Sequence, residues 1–196
     1  MPRAARLPVD ERRSRLLELG LELFSRRAYD DISTDDIATA AGVSKGLLYH
    51  YFAGKRGYYE ATIAEVARRV SEAATLEAEL PLLVAVPRAL QRFVAFVSDN
   101  AVMYRAMLRG GVGADDQVQR IVEGVRQGVC RDVLARAGVA EPGPRLRSAL
   151  YGWVGLAEAT TLDWVSHERD QPAQAIVAAL VDAFMKLVDL PAPPRD

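Results

Sequence analysis

Few side chains in this chain could do chemistry, and they are scattered. There are two histidines, His50 and His167, and one cysteine, Cys130. His167 stands beside Glu168 and Asp170 at the expected end of a helix. A solvated cluster accounts for that group better than a metal site, which needs ligands converging at fixed distances. No nucleophile motif, phosphate loop or glycine-rich nucleotide fingerprint occurs. Cys130 has no second cysteine to resolve it, so it reads as a small apolar residue and not as a redox switch. No catalytic residues, metal or cofactor are expected, and the chain is not read as an enzyme. One cluster is different. Lys45, Gly46, Leu47, Tyr49, His50 and Tyr51 fall within seven residues, with Lys55 just beyond. A lysine, a small residue, a tyrosine and a histidine on one exposed face suit phosphate and base-edge contacts in a DNA groove.

Such a cluster needs a frame, and the flanking sequence supplies one. Leu16, Leu19, Leu23 and Phe24 mark an amphipathic helix from about Val9 to Arg27. Ser33 can cap a second helix, with Asp36 completing a capping box. Ile32 and Ile37 have the spacing of a hydrophobic staple. Gly42 supplies a left-handed stop. Ser44 can then cap a third helix at once, with Val43 and Leu48 as a second staple. Leu48 and Phe52, four apart, turn inward and leave Lys45, Gly46, Tyr49 and His50 outside. Two short capped helices joined by a glycine turn form a helix-turn-helix, although such pairs also serve purely structural ends.

The rest of the chain has helical periodicity nearly throughout. A fourth helix is expected from Lys55 to about Glu79, followed by a break at Pro81 and Pro87. Helices are then expected near Pro87–Ser98, Asn100–Arg109, Asp115–Ala137, Arg145–Ser166 and Pro172–Val188. Gly110 to Gly113 reads as a loop and Pro191 to Asp196 as a frayed tail. The fold class is all-α, about nine helices. A three-helix helix-turn-helix domain at 1–56 precedes a larger helical bundle at 57–196.

The chain has 196 residues, half of them hydrophobic, and a formal net charge of -1. That balance argues against a general nucleic-acid binder, so the distribution of charge matters more. Residues 1–56 carry ten Lys and Arg against eight Asp and Glu; the remainder carries fifteen against eighteen. The modest basic excess gathers at Arg3, Arg6, Arg12, Arg13 and Arg15, and a local patch can hold phosphate when the whole protein cannot. No segment approaches eighteen uninterrupted apolar residues, and no signal-peptide pattern opens the chain. With a single cysteine, a reducing cytoplasm and no membrane association are expected.

The stretch Thr34-Asp-Asp-Ile-Ala-Thr-Ala-Ala-Gly-Val-Ser-Lys-Gly-Leu-Leu-Tyr-His-Tyr-Phe-Ala-Gly-Lys55 resembles the DNA-binding signature of the TetR family of bacterial regulators. The resemblance covers roughly residues 10–60; beyond it only the all-helical layout agrees. It implies a ligand-responsive transcriptional regulator, a homodimer on a pseudo-palindromic double-stranded operator. Repression relieved by a small, largely apolar inducer is the expected mode. Lys45, Gly46 and Leu47 stand where family members approach base edges. Thr34, Tyr49, Tyr51 and Lys55 stand where they hold phosphates, His50 can contact either, and Ser44 caps the reading helix. There are departures. Leu47 replaces a small or hydroxylated residue and can meet only a thymine methyl. Arg56-Gly57 replaces a common acidic residue. Asp35 would repel a phosphate.

Two further sites are expected in the larger domain. Gly152, Gly155 and Ala159 share a helix at three- and four-residue spacing, which suits close helix approach. Ile176, Leu180 and Phe184 form the apolar stripe of the final helix. The resemblance implies that these two helices pair with their copies as a four-helix bundle, while core packing within one chain explains the same stripes. An inducer pocket is expected between the middle helices and the penultimate one. Phe93, Phe96 and Val97 would form one wall, Met103, Tyr104 and Met107 another, with Trp153 projecting from the penultimate helix. Arg126, Glu158 and Thr161 are its candidate polar groups, and each apolar residue could equally be core. A helical adaptor that binds only protein, or an activator without an inducer, remains the alternative.

Overall fold

The computed structural model of the chain describes residues 9–108 and 116–188. Among these the helical periodicity becomes nine α-helices, with no strand. They are α1 (Val9–Arg26), α2 (Thr34–Ala41), α3 (Lys45–Tyr51), α4 (Gly54–Ala74), α5 (Leu82–Asp99), α6 (Ala101–Leu108), α7 (Asp116–Arg136), α8 (Pro144–Ser166) and α9 (Ala173–Leu187). A short 3-10 turn at Tyr29–Asp31 links α1 to α2. Arg3, Arg6, the Gly110 to Gly113 loop and the tail from Pro191 lie outside the described residues.

The chain divides into two units, described separately here. One is built on Met1–Ala67 with Val102–Ile121, the other on Arg68–Ala101 with Val122–Asp196. The boundary expected at 56/57 falls within α4, which like α7 contributes to both units, and α6 belongs with the first.

In the first unit, α1 buries Leu16, Leu17, Leu21 and Phe24. Leu19 and Leu23 of the expected stripe are only half-buried. The buried face is turned by about one position because Gly20 lets α1 approach α4 closely. A Cβ at Gly20 would collide with Thr62 Oγ1 and the Tyr58 ring. Tyr58 is fully buried and its hydroxyl donates to the Leu16 carbonyl, fixing the same contact. Phe24 packs edge-on against Tyr59, with ring centroids 4.8 Å apart. Aromatic pairs of this geometry add roughly 0.5–1.5 kcal/mol beyond the area they bury.

In the second unit, α5, α8 and α9 pack on one another. Their seam holds Ala85, Leu90, Phe93, Val94, Leu150, Val154, Ile176, Leu180 and Phe184, all buried. Two helix boundaries differ from expectation. α4 ends at Ala74, five residues early. Arg92 caps that end by donating to the Ala73 and Thr75 carbonyls, and Arg136 donates to the carbonyls of Ala78 and Leu80. These guanidinium groups satisfy backbone oxygens that an α-helix would otherwise have used. Pro87 lies inside α5, not before it. A proline in the second turn costs the helix one hydrogen bond, from the N–H it lacks to the carbonyl of Leu83, whose side chain is exposed.

Candidate nucleic-acid interface

Helix α3 is held from three sides by local chemistry. Ser33 accepts a hydrogen bond from the Asp36 N–H at 3.1 Å, and the Asp36 carboxylate accepts from the Ser33 N–H at 2.8 Å. This is the expected capping box, completed by an aspartate. Those hydrogen bonds hold the Asp36 carboxyl below the usual carboxylate range, with Arg27 assisting at 3.6 Å. Gly42 ends α2 at φ 63°, the left-handed region that side chains resist. Ser44 Oγ then accepts from the Leu47 N–H at 3.1 Å, so only three residues separate α2 from α3. Ile32, Ile37 and Leu48 are completely buried and Phe52 nearly so, which anchors the inner face. Arg13 of α1 lies over the Phe52 ring, 5.6 Å from its centroid.

What remains outside is the set singled out by sequence. Ser44, Lys45, Gly46, Tyr49 and His50 are exposed, and Leu47, Tyr51 and Thr34 are half-exposed. Tyr49 keeps 56% of its surface in solvent, the highest of the chain's aromatic side chains described as exposed. His50 packs edge-on against Tyr51, with centroids 5.3 Å apart. A Cβ at Gly46 would meet only Ser44 Oγ, at 3.9 Å. Packing within the chain therefore gives no reason for a glycine there.

Two cations of this surface are already engaged. Lys45 Nζ lies 2.6 Å from the Asp35 carboxylate. Lys55 Nζ donates to the Tyr29 carbonyl at 2.9 Å and sits 4.1 Å from the centroid of the Tyr29 ring. Lys55 thus ties the α1–α2 link to the start of α4. Spacing in the sequence could not show this, because the contact spans twenty-six positions. In sequence Asp35 is only a departure; its pairing with Lys45 emerges from the fold.

In the second unit the other expected residues fall as follows. Arg126 and Glu158 form a two-pronged pair, with Arg126 Nη2 2.8 Å and Nε 3.0 Å from Glu158 Oε2. The Glu158 side chain is only 10% exposed and strengthens the hold of Arg126 on its proton. Beside them the Tyr151 hydroxyl donates to Glu123 at 2.7 Å, which pushes its ionisation upward. Thr161 is buried and donates to the Ala157 carbonyl. Trp153 is buried too. Its indole N–H donates to the Leu180 carbonyl at 2.9 Å, and its ring meets Phe184 edge-on at 4.9 Å. It therefore packs into the α8–α9 seam. Phe93 and Val97 are buried and Phe96 half-buried. Met103, Tyr104 and Met107 are buried as well, but belong to the first unit.

The dimer residues divide. Ile176, Leu180 and Phe184 are at most 3% exposed within the single chain, so they fill its own core and cannot be offered to a copy. Gly152 and Ala159 are exposed and Gly155 half-exposed, with Leu156 bare on the same face. Among the described residues nothing lies within 4 Å of a Cβ built at Gly152 or Gly155. A groove of about 1050 Å³ runs between α7 and α8, past Cys130, Leu134, Leu150, Tyr151 and Gly152. It contains none of the ten residues expected around an inducer. Cys130 is half-buried there, and burial pushes its thiol up, away from reactive thiolate. Among the described residues no three His, Cys, Asp or Glu side chains converge on a metal position, and no helix is long and apolar enough to cross a membrane.

Comparison with known proteins agrees with this geometry. Residues 16–57 match the bacterial regulatory proteins of the tetR family, and residues 84–187 match the tetracyclin repressor-like C-terminal domain. A TetR-family transcriptional regulator from Streptomyces coelicolor superposes with a TM-score of 0.79 at 36% identity, over 92% of this chain and 82% of that one. The HTH-type transcriptional activator FasR of Mycolicibacterium smegmatis is 28% identical over 85% of this chain and 78% of its own length. The putative mycofactocin biosynthesis transcriptional regulator MftR of Mycobacterium tuberculosis is 24% identical over 91% and 93%. A helix-turn-helix with capped α2 and α3, an outward α3 surface and a matching C-terminal domain together make this chain a member of the TetR family of transcriptional regulators, with a DNA-binding helix-turn-helix.

Proposed function

We propose that the protein is a ligand-responsive repressor, acting in the cytoplasm as a homodimer on a pseudo-palindromic operator. The observation that carries the proposal is the outward face of α3. Lys45, Gly46, Tyr49 and His50 are exposed on a helix whose opposite side, Leu48 and Phe52, is locked into the core. In this reading Lys45 and Leu47 meet base edges, and Thr34, Tyr49, Tyr51 and one or more donors of Lys55 hold phosphates. The dimer forms across the α8 face of Gly152, Gly155, Leu156 and Ala159.

The ligand of the second unit is proposed to be a small, largely apolar molecule with one or two polar groups. The Arg126–Glu158 pair is the natural anchor for the polar end, because a ligand group that hydrogen-bonds to either charge can join the pair without breaking it. A ligand releases DNA only if it binds the DNA-incompetent state more tightly. A hundredfold release needs a coupling of about 2.7 kcal/mol. Burying roughly 110 Å² more apolar ligand surface in that state would supply it.

The experiment is a gel shift with the DNA upstream of the protein's own gene, repeated with ligands chosen by thermal shift. The reading predicts a retarded complex that a stabilising ligand dissolves. A complex that every stabilising ligand leaves intact would favour regulation without an inducer, and no complex at all would remove the operator assignment.

A further inference from the structure

The helix-turn-helix carries an acidic balance where a DNA reader would be expected to be basic. Between residues 28 and 54 Lys45 is the sole Lys or Arg, against Asp30, Asp31, Asp35 and Asp36. Asp36 is occupied by the Ser33 cap and so serves the fold. Asp35 is not required there, since the capping box already places a carboxylate at the start of α2. Instead its carboxylate reaches across to α3 and lies 2.6 Å from Lys45 Nζ. Both side chains are more than half exposed, at 69% and 53%. An ion pair this exposed adds little to stability and breaks cheaply. Its effect lies in the field it presents to DNA.

We propose that Asp35 is a specificity-determining residue. It neutralises Lys45 on the reading face, so that the protein binds arbitrary DNA weakly and releases Lys45 only where a base edge replaces the carboxylate. The inference rests on the DNA-binding reading above. Its physical basis is the counterion effect. Each lysine that meets a phosphate displaces counterions and steepens the salt dependence of binding by about 0.9 per contact. A lysine already paired with a carboxylate adds no net charge to that account. The carboxylate also stands at the start of α2, near the position proposed for a phosphate, and repels it. At a cognate site the exchange is possible because guanine offers two acceptors to Lys45, and cytosine offers an amino donor to Asp35.

The test is fluorescence anisotropy with a random-sequence 30-base-pair duplex, titrated from 50 to 300 mM salt (all probe conditions on the order used to separate phosphate contacts). The wild type, Asp35→Asn, Asp35→Glu, Lys45→Gln and the Asp35→Asn, Lys45→Gln double variant are compared. Asp35→Asn should bind the random duplex about fivefold more tightly, the equivalent of one exposed charge pair, and its logarithmic salt slope should steepen by about one. Asp35→Glu should keep the wild-type slope. The double variant should return to it, and Lys45→Gln alone, which leaves the Asp35 carboxylate unpaired, should flatten it. An unchanged slope in Asp35→Asn would overturn the inference, as would a double variant that keeps the steeper slope of Asp35→Asn, since the gain would then not come from Lys45. A wild type with no salt-dependent binding to any duplex would instead contradict the DNA-binding reading itself.

Discussion

At the scale of single residues, the surface that sequence singled out is the one the fold exposes, but its cations have intramolecular partners. Lys55 shows the consequence. Its ammonium bonds the Tyr29 carbonyl and sits over the Tyr29 ring, leaving donors for a phosphate. Replacing it therefore has two effects that are measured separately. Lys55→Ala should lower stability in urea by about 2 kcal/mol, from a charge-assisted hydrogen bond and a cation–π contact. It should also reduce the salt slope of operator binding by about one. Lower stability with an unchanged slope would make Lys55 a positioning residue only. Neither change would show that both contacts are dispensable.

At the scale of elements, the helices and caps of the first unit were legible because their signals are local. Ser33, Asp36, Gly42 and Ser44 act within a few residues of themselves. What the sequence hid depends on distant partners. α4 stops early because Arg92 and Arg136 take up backbone carbonyls near its end. α9 offered an apolar stripe that suited a dimer or a core equally, and burial of Ile176, Leu180 and Phe184 decides for the core. α8 presents the opposite case. Gly152, Gly155, Leu156 and Ala159 share a face left partly open among the described residues, and Leu156 is 38% exposed. Interior glycines cost roughly 1 kcal/mol each relative to alanine, which close approach of a second helix would offset. Leu156→Asp should thus dissociate the dimer while each chain stays folded, read by sedimentation velocity together with circular dichroism. A folded variant that still sediments as a dimer would move the interface elsewhere.

At the scale of the whole molecule, a net charge of -1 rules out binding through a global field. In the function proposed, affinity comes from a dimer that presents two α3 helices to successive major grooves, about 34–36 Å apart on straight B-DNA. Gly46 tests that claim most directly, because stability and function make opposite demands on it. Its would-be Cβ faces open space, with only Ser44 Oγ at 3.9 Å, so a larger residue should fit the free protein and even favour the helix by about 0.5 kcal/mol. Against DNA the same residue would occupy the space needed by the base edges. The decisive measurement is therefore operator affinity by anisotropy, alongside the thermal melt, for Gly46→Leu. The account predicts a melting temperature equal to or above that of the wild type and at least about a hundredfold loss of operator affinity, roughly 2.7 kcal/mol. Unchanged operator affinity in a normally folded Gly46→Leu dimer would contradict the claim that α3 reads DNA.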